Sequence, residues 1–300
     1  MHRLVVNADD LGLTPGVDDG IFDAHEHGIL TSASLFANAP STADALRRAR
    51  SHPSLGIGVH LALVDGVPTL PPARVSTLLE GDGRFRRSWK PFIVACLRGR
   101  VSLVEVEREL TAQIERLLAA GLRPTHVDGH KHVHAWPPIF AIVARLAARF
   151  GIPAVRVPYE SFTFSAMPRD AAARGIATRQ ALLNAAMRPW ARRNRRVAAS
   201  LGLRTPRFIG RIHTGVLDRP SLHALLRSIG SAPDITELMV HPGYLDAALA
   251  ATGTRLLASR EHELELLCRM DTRALLVGER IDLVRHDLTH IVRRSIRHVS

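Results

Sequence analysis

Cysteine is nearly absent from this chain: Cys96 and Cys268 are the only two, far apart in 300 residues. That excludes a disulfide scaffold and a four-thiolate zinc site, and it suits a reducing compartment. Lysine is as scarce. Lys90 and Lys131 stand alone, so nearly all the positive charge behind the net +12 is arginine, spread from end to end. A bias that spans the chain reads as composition rather than as a binding code. No apolar run reaches the ~18 residues of a spanning helix. The first segment meets Asp9 and Asp10 too early for a secretory apolar region. Internal repeats and low-complexity linkers are missing too. What remains is 46% apolar and 23% charged, ordinary for a globular chain that buries a core unaided. The expectation is a soluble, cytoplasmic enzyme, and the 16 histidines are the first sign of its chemistry.

Apolar runs alternate with amphipathic stretches. Leu4–Asn7, Thr31–Ala37, Gly56–Leu63, Pro124–Asp128, Ala154–Pro158, Arg207–His213 and Thr236–Val240 read as strands, with a terminal segment near Ile281–Arg285. Helices fall between them. Thr14-Pro15 opens one and Gly28 closes it; Ser41 caps another. Leu103, Val106, Leu110, Ile114 and Leu117 recur at helical spacing from Ser102 to Ala120. The alternation predicts an α/β fold, a parallel sheet covered by helices, and about seven units fit a TIM-like (β/α) barrel. Residues 1–300 read as one domain. The stretch 160–205 breaks the rhythm and reads as a helical insertion on the rim.

Position then points to chemistry. Asp9 and Asp10 follow the first strand, and His60 lies late in the third. His126, Asp128 and His130 end the fourth, Arg156 the fifth, and His213 the sixth. His241 follows Leu238-Met239-Val240. In a parallel barrel the C-terminal strand ends share one face, so these dispersed groups are expected to converge. Adjacent carboxylates repel unless a cation or a proton sits between them; helix capping is the plainer reading of Asp9-Asp10, but Thr14 is the better cap. His126, Asp128 and His130 alternate at period two, and imidazole with carboxylate suits Zn²⁺, Mn²⁺ or Mg²⁺. Not all of them can be ligands, and His126 and Asp128 suit an orienting role equally well. Gly129 would let the backbone turn there. His60 alone reads as a core histidine, and His241, before Pro242-Gly243, as a turn residue.

Asn7-Ala8-Asp9-Asp10-Leu11-Gly12, Gly58-Val59-His60-Leu61, Thr125-His126-Val127-Asp128-Gly129-His130 and His241-Pro242-Gly243 stand in the order of the signature blocks of one family. The chain resembles the YdjC-like carbohydrate deacetylases, which include chito-oligosaccharide deacetylases and hopanoid-associated proteins (the ChbG/HpnK group). Arg156-Val157-Pro158-Tyr159 is similar to a segment of the broader polysaccharide deacetylases. Leu11 stands where the family usually has Phe, and Gly129 where Ser is common. The resemblance implies a TIM-like barrel and one divalent ion, Mg²⁺ or Zn²⁺, on Asp10, His60 and His130. It implies Asp9 as general base held by Arg156, and His241 as general acid. The implied reaction removes the N-acetyl group from an amino sugar, free, oligomeric or lipid-linked.

Two other readings compete. One is another barrel metallohydrolase, an amidohydrolase or phosphoesterase; amidohydrolases usually place a His-x-His pair after the first strand, where this chain has Asp9-Asp10. Nucleic-acid binding would use the run Arg192-Arg193-Asn194-Arg195-Arg196, but no recognition motif accompanies it; nucleic acid is not expected as a partner. The same run, beside Phe162, Phe164, Met167, Met187 and Trp190, suits peripheral contact of 160–205 with the inner membrane surface. The plainer alternative is a helical cap packed on the barrel. Oligomeric state stays open, a homodimer included.

Overall fold

Seven strands form one curled, all-parallel sheet in a computed structural model that describes residues 2–231 and 235–289. They are β1 (His2–Leu11), β2 (Ser32–Phe36), β3 (Gly56–Leu61), β4 (Val127–Gly129), β5 (Arg207–Ile209), β6 (Ile235–Val240) and β7 (Ile281–Leu283). The order is β4-β3-β2-β1-β6-β5. β7 pairs with His2–Leu4 at the start of β1, where β2 has not yet begun its own pairing. β1 therefore lies near the middle of the arc, and every residue from Leu4 to Leu11 is buried. That accounts for its almost continuous apolar run.

Helices cover the sheet: α1 (Pro15–His27), α2 (Thr42–Ala49), α3 (Trp89–Leu97), α4 (Leu103–Ala119), α5 (Pro137–Arg149), α6 (Ala171–Ala186), α7 (Arg188–Ser200), α8 (Arg219–Arg227), α9 (Ala247–Ala251), α10 (Ala258–Cys268) and α11 (Met270–Gly278). Thr14 caps α1 by accepting the Val17 N–H, and Gly28 ends it, as its sequence predicts. Ser102 caps α4, whose apolar stripe Val106, Leu110, Ile114 and Leu117 is buried. Ser41 precedes α2 but makes no cap, because its hydroxyl donates to Asp18 instead.

Three expected strands differ. The stretch 154–158 forms no ladder; Ala154 and Val155 make isolated parallel bridges to Arg204 and Val127. Among the described residues the sheet is thus an arc, with no closed seven-stranded barrel ladder. β5 stops at Ile209, because Gly210 turns the chain at φ +103° against the Met239 carbonyl. His213 consequently lies beyond the strand end in a turn, where its Nε2 bonds the Ala166 carbonyl at 2.8 Å. β1 runs on to Leu11, past the aspartates.

Segment 160–205 contains α6 and α7. Its anchor is Glu160, whose N–H donates to Asn184 Oδ1 at 3.0 Å, whose carbonyl accepts from Asn184 Nδ2 at 2.6 Å, and whose carboxylate accepts the Ile212 N–H at 3.0 Å. Burial pushes the Glu160 carboxyl up to about 7, against the pull of the Ile212 and Gly210 N–H groups. A carboxyl whose folded pKa is raised makes the native state hold more protons than the unfolded chain. Its contribution is full below about 4.5 and is lost as pH rises through about 7. Glu160→Gln removes that loss, so its melting temperature relative to wild type should climb between pH 4.5 and 7.5. A difference that stays flat across that range would show that the carboxyl is not shifted.

Candidate active site

The site sits at the C-terminal ends of β1, β3, β4 and β6, where parallel strands deliver their last side chains to one side of the sheet. Consecutive residues of a strand normally face opposite ways. Between Ala8 and Leu11 the pairing of β1 with β2 slips, and Asp10 adopts φ +72°. Aspartate tolerates the left-handed region better than most residues. The bulge brings both aspartates to the same cluster of partners.

Arg156 is the hub. Its guanidinium, 1% exposed, binds Asp9 through two parallel bonds of 2.7 Å. It also reaches Asp128 at 2.8 Å and Glu237 at 2.6–2.7 Å. Burial opposes its charge, but the surrounding carboxylates outweigh that and raise its pKa. His134 fixes its backbone, with Nε2 3.1 Å from the Arg156 carbonyl. Asp128 is the second junction. One oxygen meets His60 Nδ1 at 2.7 Å; the other meets Arg156 and accepts from Ser34 at 2.6 Å. His126 lies beneath, its Nε2 3.0 Å from Ser34 Oγ. Its ring fills the space a side chain at position 58 would need: a Cβ on Gly58 would come within 2.4 Å.

With its Nδ1 committed to Asp128, His60 presents Nε2 to Asp10 Oδ1 at 3.5 Å. His130 presents Nδ1 to the same oxygen at 3.2 Å, and its Nε2 lies 3.6 Å from Asp65. One donor atom from each of Asp10, His60 and His130 lies within 4.8 Å of the others. Two ligands of one tetrahedral ion at ~2.0–2.1 Å are roughly 3.3 Å apart, so these donors fit a divalent ion. Asp9, His60 and Asp128 also cluster, but Arg156 and His60 already occupy the facing carboxylate oxygens. Burial penalises charge on His60, yet Asp128 and Asp10 lift its pKa to about 10; Asp10, despite burial, is held well below the usual range by Arg260, His130 and His60.

His241 is 7% exposed, and its backbone N–H donates to Glu263 at 2.6 Å. Burial pushes its imidazole down to about 4, although the Asp9 and Asp10 charges pull the other way. The turn after it needs Gly243: a Cβ on Gly20 of α1 would come within 2.4 Å of the Gly243 Cα, so helix and turn meet backbone to backbone.

Asp9, Asp10, His60, His130 and Arg156 are therefore gathered, and His241 feels the same charges. His213 is elsewhere. Gly129 is extended, so space rather than backbone freedom explains it: a Cβ there would lie 2.9 Å from His134 Nδ1. The turn is made instead by Lys131 and His132 at φ +50° and +55°. Four residues escape a reading of the sequence: Asp65, Glu237, Arg260 and Glu263. Glu237, one acid inside the strand Ile235–Val240, carried a usable signal. Arg260 and Glu263 look like solvent-facing charges on a helix.

The family model of the YdjC-like proteins matches residues 3–277. The chain belongs to that family. A carbohydrate deacetylase of Brevibacillus brevis is 34% identical over 282 residues, 94% of this chain and 97% of that protein. One of Mus musculus is 37% identical over 81% of this YdjC-like chain and 78% of its own length. A solved structure from Enterococcus faecalis, provisionally named a cellobiose-phosphate cleavage protein, covers 97% of this chain and 99% of its own; the TM-score is 0.78 at 24% identity, a likeness of fold.

Asp128 is fully buried and shared between Arg156 and His60. Asp128→Asn removes the charge from both contacts and should cost about 3 kcal/mol, as for other broken buried ion pairs. Urea unfolding measures it; a loss within about 0.5 kcal/mol, the size of a surface change, would show that Asp128 is not a junction.

Proposed function

We propose that this protein is a metal-dependent hydrolase that removes the acetyl group from an N-acetylated amino sugar of the N-acetylglucosamine type, releasing acetate and a free amine. One observation carries the reading: the bulge that ends β1 places Asp10 with His60 and His130 while Asp9 is clamped by Arg156. The relatives named carbohydrate deacetylases support the substrate class. We take the arc and the bridges at 154, 155 and 204 as a single TIM-like barrel domain, whose strand ends ring the site.

Asp10, His60 and His130 would hold the ion, Zn²⁺ or Mg²⁺, and bound there it would polarise the acetyl carbonyl and make water more acidic. Asp9 takes the proton as water attacks the carbonyl carbon. Arg156 keeps that carboxylate from rotating; Oδ1 also accepts from Asn7 Nδ2 at 3.0 Å, so Oδ2 is the oxygen with a further lone pair for the proton. Asp128 fixes the tautomer of His60 by accepting from Nδ1, so Nε2 is the ligand atom. His241 delivers a proton to the leaving nitrogen as the C–N bond breaks. Buried and neutral at rest, it gives up a proton acquired within the cycle. That proton is the one Asp9 takes from the attacking water, passed on to His241, so one water and one amide give one acetic acid and one free amine.

Replacing Asp10, His60 or His130 by Ala should abolish stoichiometric metal, read by elemental analysis, together with acetate release from N-acetylglucosamine oligomers. Asp9→Asn should keep the metal and lose at least 100-fold in turnover. Full metal in the His60 variant, or near-normal turnover in Asp9→Asn, would overturn these assignments.

A second reading concerns where the enzyme works. α7 packs on α5 and buries Ala191, Asn194 and Ala198, as a cap would, whereas α6 buries only Ala177 and Asn184. α6 exposes Ile176, Leu182 and Leu183, and Phe164 earlier in the same segment is 84% exposed. Segment 160–205 carries nine arginines against Glu160 and Asp170. Apolar side chains flanked by arginine favour an anionic lipid surface, and two copies of so basic a patch would repel. This reading places the protein at the inner membrane surface and admits a sugar carried by a lipid, such as a hopanoid. No helix among the described residues is long and apolar enough to cross a membrane. Sedimentation with anionic vesicles at low salt should carry wild type down, and Leu182→Ser with Leu183→Ser should release it. Wild type left in the supernatant would favour a soluble oligosaccharide.

A further inference from the structure

We infer that α10 is the positioning element of the site: Arg260 dictates how Asp10 faces the ion, and Glu263, one turn on, sets the His241 backbone. The inference rests on the metal-hydrolase reading and assigns roles to two residues outside it.

Arg260 is fully buried. Its Nη2 lies 2.5 Å from Asp10 Oδ2, and its Nε donates to the Leu256 carbonyl at 3.1 Å. The second bond fixes the plane of the guanidinium and with it the carboxylate it holds. Asp10 Oδ1 is the oxygen turned to His60 and His130. With Oδ2 occupied, Asp10 can offer an ion one oxygen, on the histidine side, and cannot swing to chelate through both. Arg260 also offsets part of the negative charge of that ligand, which tunes how tightly it holds a cation.

Residues three apart on a helix share a face. From that face Glu263 accepts the His241 N–H at 2.6 Å. The His241 turn is pressed against the same helix: a Cβ on Gly243 would meet Arg260 Cδ at 3.3 Å and the Val17 Cα of α1 at 3.1 Å. β1 and β6 pair side by side as far as Ala8 and Val240, and just past that ladder one helix holds both the Asp10 carboxylate and the His241 backbone.

The test is calorimetric titration of Zn²⁺ and Mg²⁺ into the chelator-stripped full chain, with kcat and KM measured alongside. Wild type and His60→Ala set the scale. Arg260→Gln should weaken metal binding 10- to 100-fold, the usual effect of losing a group that orients a ligand, and excess metal should restore part of its turnover. Arg260→Lys keeps the charge but cannot make both bonds, and should fall between. Glu263→Ala should leave metal affinity within about 2-fold and lower kcat about 10-fold with KM little changed; Glu263→Gln, which keeps an acceptor for the same N–H, should recover part of that loss. If wild type binds no tighter than His60→Ala, the metal-hydrolase reading fails. If those two differ but Arg260→Gln binds like wild type, the role of α10 is overturned and the reading stands. Should Arg260→Gln not fold by circular dichroism, Arg260→Lys decides alone: wild-type affinity with lowered thermal stability means a structural counter-charge only.

Discussion

A single buried guanidinium organises the interior of this protein. Arg156 faces Asp9, Asp128 and Glu237 at once, each within 2.8 Å, and within that buried cluster Asp9 keeps the most exposure, 5% of its side chain. Desolvating four ionisable groups is costly, and the arrangement persists because nearly every facing lone pair and N–H is matched. The planar fork of arginine suits this duty. It binds one carboxylate through two bonds and still has nitrogens for two others, which lysine could not do. Asp9 is immobilised by this contact, and through Asp128 so is His60.

The second constraint is local. An ordinary strand would send Asp9 and Asp10 to opposite faces. The slip in register at Ala8–Leu11, with Asp10 in the left-handed region, sets them instead between two arginines, Asp9 on Arg156 and Asp10 on Arg260. The two carboxylates avoid mutual repulsion because each has its own cation and Asp10 retains one oxygen for His60 and His130. Backbone strain of this kind clusters at functional sites, where the surroundings hold it in place. Here they include the backbone-to-backbone contact of Gly20 with Gly243 and the burial of Arg260 between α10 and the strand end.

Much of this was legible in the sequence because the fold converts position into proximity. Apolar runs ending in Asp, His or Arg mark strand ends, and parallel strands carry all those ends to one side. Asp9, Asp10, His60, His130, Arg156 and His241 could be named on that ground and from their resemblance to a known family. The rule misplaced His213, because Gly210 ends β5 three residues before it and turns the chain toward the Ala166 carbonyl. It also overstated 154–158, where a sheet this curved leaves only isolated bridges.

The sequence by itself determined the α/β alternation, the caps of α1 and α4, and the cluster of acid and imidazole groups, since periodicity, capping and side-chain chemistry are local properties. Tertiary structure alone decided which of those groups meet. Asp128 became a junction and His126 a buried support only when β2, β3 and β4 lay side by side. Gly58 and Gly129 proved to be spaces for the rings of His126 and His134. Arg260 and Glu263 read as ordinary helix charges until α10 folded against the end of β1, 250 residues from Asp10 in the chain. A contact across that distance leaves no periodic trace, because it depends on the packing of every element between.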